Sequence, residues 1–235
     1  MYKNKTDNII SGIFCLIICI CLVLILKNVY QYRSADSEYK KLKNVMTEKS
    51  GRIIIEADED TVSENNNNNN NIVKETDFEK LYRINHDLVC ILSIPSLDLT
   101  YPVVQSADNV RYISRTFEGN KNPAGCLFLD YENKKDLSDP DIYIYGHNMK
   151  NGSMFGSLKK LREEGYRQSA AFLTTDTGTK QYSLLKTEVV DIDSYSAPKD
   201  QTGLLTLYTC WGNDKTKRLL VTFKEEEGYR QFTEL

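Results

Sequence analysis

The strand-like run "LLTLYTC" ends on a cysteine, Cys210, and the next such run, "RLLVTFK", opens on an arginine, Arg218. A histidine, His147, stands just past a third run, "DIYIY", within "YGHN". Side chains on a strand alternate between its two faces. Leu205 and Leu207 therefore share one face, and Thr206, Tyr208 and Cys210 share the other. By the same alternation Leu219, Val221 and Phe223 mark the apolar face of the Arg218 run, and Ile142 and Ile144 that of the run before His147. Cys210, Arg218 and His147 then all project away from the apolar side, His147 in phase with Tyr143 and Tyr145 provided that Gly146 does not bulge. On one surface the three suit acyl transfer. A thiol attacks a peptide carbonyl, an imidazole protonates the departing amine, and a guanidinium stabilises the charge that develops on the carbonyl oxygen. Arginine fits that last role because it stays protonated and presents several N–H donors from one plane. Lys217 is in phase with the apolar residues, which favours Arg218 over Lys215 or Lys217 as the working cation.

Holding three such groups together requires strands that end side by side. Short runs rich in Val, Ile, Tyr and Phe, punctuated by Pro, Gly, Asn and Asp, predict strands over Val89–Ile94, Leu99–Val104, Cys126–Asp130, Asp141–Tyr145, Ala171–Thr175, Gln181–Asp193, Leu204–Cys210 and Arg218–Lys224. "DFEKLYRIN" predicts a short leading helix with Asp77 as its N-cap. Asn109–Phe117 and Met154–Glu164 also read as helical. Many short strands with few helices indicate a mainly β domain, a barrel or a sandwich, rather than an alternating parallel fold.

Ahead of this domain, Ile9–Leu26 carries no charged residue, is flanked by Lys5 and Lys27, and is long enough to cross a bilayer. The stretch after it, "KNVYQYRSAD", is a poor cleavage site, which favours a retained anchor over a signal peptide. Lys3 and Lys5 precede the span while Lys27, Arg33, Lys40 and Lys41 follow it, so charge counting alone does not orient it. Asn28–Thr76 is polar and charged and contains the uninterrupted asparagine tract Asn65–Asn71. It reads as a juxtamembrane stalk, helical near Ser37–Met46, followed by a disordered linker whose role is that of a spacer. The expected plan is a short N-terminus at 1–8, an anchor at 9–26, stalk and linker at 27–76, and the folded domain at 77–235.

A net charge of −3 argues against a nucleic-acid footprint. Of the six cysteines, Cys15, Cys19 and Cys21 lie in the apolar span. Cys90 and Cys126 sit in apolar runs, where a free thiol behaves as a small buried hydrophobe, and a Cys90–Cys126 bridge is the less favoured alternative. With two histidines and no CxxC spacing, nothing has the pattern of a zinc site.

"TLYTC" followed by Arg218 resembles the TLxTC signature of sortases, the membrane-anchored cysteine transpeptidases of Gram-positive bacteria. "YGHNMKNGSMFG", Tyr145–Gly156, is similar to the histidine loop of class B sortases. Phe78–Asn133 resembles the class B order of a leading helix, a YPVxQ strand, an N-x-x-Y helix and a G-x-x-F-x-D strand. The resemblance runs from Asp77 onward and implies an eight-stranded sortase-type β-barrel behind one N-terminal transmembrane helix. It implies Cys210 as nucleophile, His147 as general acid and base, and Arg218 as the oxyanion and substrate-carbonyl donor, with Thr100, Val104, Ser153, Tyr208 and Thr209 near the sorting-signal groove.

The resemblance further implies that the enzyme cleaves a sorting motif near the C-terminus of a secreted surface protein. The product is joined to an amine of peptidoglycan or of its lipid-linked precursor. Neither a metal nor an organic cofactor is required by that chemistry. A single-pass anchor with a cytoplasmic N-terminus and an extracellular catalytic domain would follow. The alternatives are a sortase that joins or anchors pilin subunits, or a cysteine protease that does not transfer its acyl group. Two features depart from the class B pattern. Tyr208 stands where serine is common, and only "SYSAPKDQTG" fills a connection that usually carries a helix. The inhibitory lid of class C is not visible in Asn28–Thr76.

Overall fold

The computed structural model describes residues 3–47, 77–193, 202–212 and 214–231. Helix α1 covers Lys3–Thr47 and α2 covers Asp77–Ile84. The strands are β1 (Leu88–Ile94), β2 (Leu99–Val104), β3 (Leu127–Leu129), β4 (Asp141–Tyr145), β5 (Ala170–Thr174), β6 (Thr179–Asp191), β7 (Leu204–Trp211) and β8 (Asp214–Gln231). They close into a barrel in the order β1-β2-β3-β4-β7-β8-β6-β5. The β2/β3 and β4/β7 pairs are parallel and the others antiparallel. Among the described residues each strand thus has a hydrogen-bonded neighbour on both sides.

The apolar alternation is the wall of the core: Ile142, Ile144, Leu205, Leu207, Leu219, Val221 and Phe223 are each at most 3% exposed. Each predicted strand is present, β8 being longer at both ends than expected because β6 and β7 pair with it on either side. Lys217 accordingly lies inside a strand, yet it is exposed.

The leading helix is present as α2, but the other two predicted helices are absent. Asn109–Phe117 holds only a 3-10 turn at Arg111–Ile113, and Met154–Glu164 only the turns Leu158–Arg162 and Glu164–Tyr166. In Asn109–Phe117 other bonds take backbone groups that a helix would use. The Tyr112 carbonyl, which would accept from Thr116, accepts instead from the Cys126 N–H at 3.0 Å, and the Thr116 N–H donates to the Asn120 carbonyl at 2.9 Å. Segments this short do not propagate a helix against such competition.

Among the described residues one helix, α1, is long and apolar enough to cross a membrane. It does not end with its apolar stretch. It runs on to Thr47, and Ala35, Tyr39 and Leu42, spaced to fall on one helical stripe, are buried against the barrel. The helical part of the stalk is therefore longer than Ser37–Met46 and is packed on the barrel. The asparagine tract and most of the connection before Leu204 lie outside the described residues. Cys90 and Cys126 are both buried and unbridged.

Candidate active site

Strands β7 and β8 run antiparallel with Cys210 directly opposite Arg218. A thiol-bearing and a guanidinium-bearing residue on cross-strand partner positions share one face of the sheet. On the other side of β7, strand β4 runs parallel with Tyr145 aligned to Tyr208. Past Tyr145 the chain stays beside β7 through three bonds. The Gly146 N–H donates to the Tyr208 carbonyl at 3.2 Å. The Thr209 hydroxyl donates to the Gly146 carbonyl at 2.7 Å. The Asn148 amide donates to the Cys210 carbonyl at 2.8 Å. His147 is thus held between residues tied to positions 208–210. Gly146 is required by close approach, since a Cβ there would lie 2.3 Å from Leu127 Cδ2 and 2.7 Å from Phe155 Cδ2.

The His147 ring is oriented by a backbone group. Its Nε2 lies 2.7 Å from the Ile113 carbonyl. A carbonyl only accepts, so Nε2 carries the proton and Nδ1 is left as the nitrogen that can take or give one. A backbone carbonyl thus fixes the tautomer here, as a carboxylate does in Ser-His-Asp triads.

Arg218 is braced as well. Its Nη1 donates to the Lys217 carbonyl at 3.0 Å, and the Tyr208 phenol lies close enough to feel its charge. Desolvation raises the Tyr208 pKa above the ordinary phenol value, against a smaller lowering by Arg218, so the hydroxyl stays neutral at physiological pH. Tyr208 also packs edge-on against Tyr145, with centroids 5.2 Å apart, and the Tyr145 hydroxyl donates to Asp130 Oδ2 at 2.6 Å. These residues, with Phe128 and Ile113, border a cavity of about 750 Å³. That volume is in the range that holds a small ligand or a short extended peptide. Arg218 is the member of the trio in its wall; Cys210 is exposed and His147 half-buried beside it.

The structure distributes the expected groove residues unequally. Tyr208 lines the cavity. Thr209 is buried and spends its hydroxyl on Gly146, and Val104 is fully buried in the core. Thr100 and Ser153 face crevices between the barrel and α1. Tyr145, Asn148 and the Ile113 carbonyl escaped sequence reasoning. The first two stand within the histidine motif and were open to notice; a carbonyl leaves no trace in residue type.

Residues 92–226, more than half of the chain, match the family described as "Sortase domain". Sortase B of Listeria monocytogenes is 33% identical over 108 residues, covering 46% of this chain and 44% of that protein. Sortase B of Staphylococcus aureus is 24% identical over 155 residues, covering 66% of this chain and 55% of that protein. The chain thus spans about half the length of these curated relatives. A crystal structure of sortase B from Bacillus anthracis, in complex with AAEK2, superposes with a TM-score of 0.56 at 27% identity, over 64% of this chain and 82% of that one. A barrel with this strand order, a cysteine and an arginine paired across its last two strands and a family match over most of the barrel lead to one conclusion: the chain belongs to the sortase family, and the relatives it matches are of class B.

Proposed function

We propose that the protein is a class B sortase transpeptidase working at the outer face of a membrane that α1 crosses once, with its N-terminus inside. It cleaves a sorting motif near the C-terminus of a secreted protein and passes the acyl part to an amine of peptidoglycan or its lipid-linked precursor. The cross-strand pairing of Cys210 with Arg218, with His147 tied alongside, carries this reading.

In the acylation step Nδ1 of His147 accepts the Cys210 proton and the thiolate attacks the scissile carbonyl. Arg218 donates hydrogen bonds to the oxygen as it gains charge. The imidazolium returns its proton to the leaving amine, and a thioester remains on Cys210. The acceptor amine then gives a proton to His147 while attacking the thioester, and the Cys210 thiolate leaves. No redox change is involved. The test is to incubate the full chain, in detergent micelles, with a library of xPxTx peptides and a set of cell-wall amines, and to identify products by mass. Amine-linked product is expected. Hydrolysis that continues unchanged on adding amine would instead identify a protease, and capture of a pilin lysine alone would identify a pilus enzyme.

A further inference from the structure

The part of α1 that follows the apolar stretch meets the barrel at the loop that carries the Ile113 carbonyl and at the loop that carries His147. Tyr39 is the centre of that contact and is 7% exposed. Its hydroxyl donates to the Gly125 carbonyl at 2.7 Å and accepts from the Phe117 N–H at 3.2 Å, so one atom clasps both ends of the Phe117–Gly125 segment. Gly125 lies against the catalytic ring: a Cβ on it would be 2.8 Å from the Ile113 carbonyl oxygen and 3.1 Å from His147 Cδ2.

A second route leaves from the same side chain. The Tyr39 ring packs edge-on against the Tyr101 ring at 5.3 Å. The Tyr101 hydroxyl accepts from the Met154 N–H at 3.1 Å. Its neighbour Phe155 donates from its N–H to the His147 carbonyl at 2.9 Å. Flanking bonds fasten the helix in this place. The Asn122 amide donates to the Gln31 carbonyl at 2.8 Å, the Glu118 N–H donates to Glu38 at 3.0 Å, and Lys43 pairs with Asp98 at 2.7 Å.

We propose that Tyr39 is a positioning residue for His147: the docked end of the anchor helix holds the ring and the backbone carbonyl that fixes its Nε2–H. The helix is then part of the catalytic apparatus as well as a tether. The catalytic half of this inference rests on the transpeptidase reading above, and the spectroscopic half does not.

Tyr39→Phe keeps the ring contact with Tyr101 and deletes both hydrogen bonds of the clasp. The experiment uses the full chain in detergent micelles, labelled with 13C and 15N at histidine. The chain has two histidines, so His86→Gln in the background leaves His147 as the sole signal. The wild-type chain should give a slowly exchanging Nε2–H resonance. Tyr39→Phe should broaden it or mix the tautomers, and kcat for thioester formation should fall by about tenfold or more with KM changed less than about twofold. Asn122→Asp, which keeps the Ala124 bond but loses the donor to Gln31, should move both readouts in the same direction by less; it decides the matter if Tyr39→Phe does not fold. A wild-type His147 resonance in a folded variant overturns the proposal, whether turnover is unchanged or lost. If the unmodified chain performs no transfer at all, the functional reading fails while the resonance comparison still decides the positioning role.

Discussion

Arg218 occupies the position opposite Cys210, donates to the Lys217 carbonyl and lies beside the Tyr208 phenol. A role that needs several directed N–H donors is not met by an ammonium group. Arg218→Lys should therefore lower turnover by about 10²- to 10³-fold, the loss typical of one oxyanion donor. Lys217→Ala, altering an exposed side chain on the same strand, should stay near wild type. Steady-state kinetics on one peptide separates the two, and near-normal transfer by Arg218→Lys would reduce the residue to a bare charge. The thiols divide equally sharply. Burial pushes Cys126 up to about 12 and raises Cys90 as well, whereas Cys210 is exposed. A membrane-impermeant maleimide at pH 8 should label Cys210 in the folded chain and reach Cys90 and Cys126 only after denaturation. The same shifts govern alkaline stability. The unfolded chain releases these protons near the ordinary thiol value of about 8.5, while the folded chain retains them. The stabilisation is full below that value and is lost as pH rises through it toward the folded-state value, about 12 for Cys126. The thermal midpoint should fall on that limb, and less steeply in a Cys90→Ala, Cys126→Ala double variant.

At the scale of elements, the site depends on two strand pairings of different origin. The β7/β8 hairpin is local, and alternation alone placed Cys210 and Arg218 on one outward face, as the register confirms. The parallel β4/β7 pair joins segments far apart in sequence, so the bonds that seat His147 beside Cys210 were not legible. Asn109–Phe117 and Met154–Glu164 misled for a related reason. Their apolar spacing suits a helix, but the Tyr112 carbonyl and the Met154 N–H find their partners in Cys126 and Tyr101, which lie elsewhere in the barrel. Gly125 tests how tightly the first of these loops is set. It has φ +63°, and a Cβ would lie 2.6 Å from the Tyr112 carbonyl oxygen and 2.8 Å from that of Ile113. Both obstacles are backbone, so they cannot swing aside. Gly125→Ala should destabilise the fold by about 1–3 kcal/mol, read as a lowered denaturation midpoint, and should depress turnover beyond what the folded fraction accounts for. Wild-type turnover per folded molecule would mean that the loop does not support His147.

Across the whole molecule, the stalk is the feature that composition described least well. Its charged residues read as a solvated spacer, yet Ala35, Tyr39 and Leu42 form a buried stripe, and a stripe confined to the last turns of a long helix is diluted by the polar residues around it. The barrel is consequently joined to the apolar helix through a packed segment before the chain reaches its asparagine-rich linker. In the proposed mechanism Cys210 alone carries the acyl group. The most direct measurement is the intact mass of the full chain, in micelles, quenched during turnover of a cleavable sorting peptide. The mass should rise by that of the acyl fragment, the increment should disappear with hydroxylamine, and it should be absent in Cys210→Ala yet retained in Cys90→Ala and Cys126→Ala. An adduct that survives in Cys210→Ala, or one that resists hydroxylamine, would contradict the account.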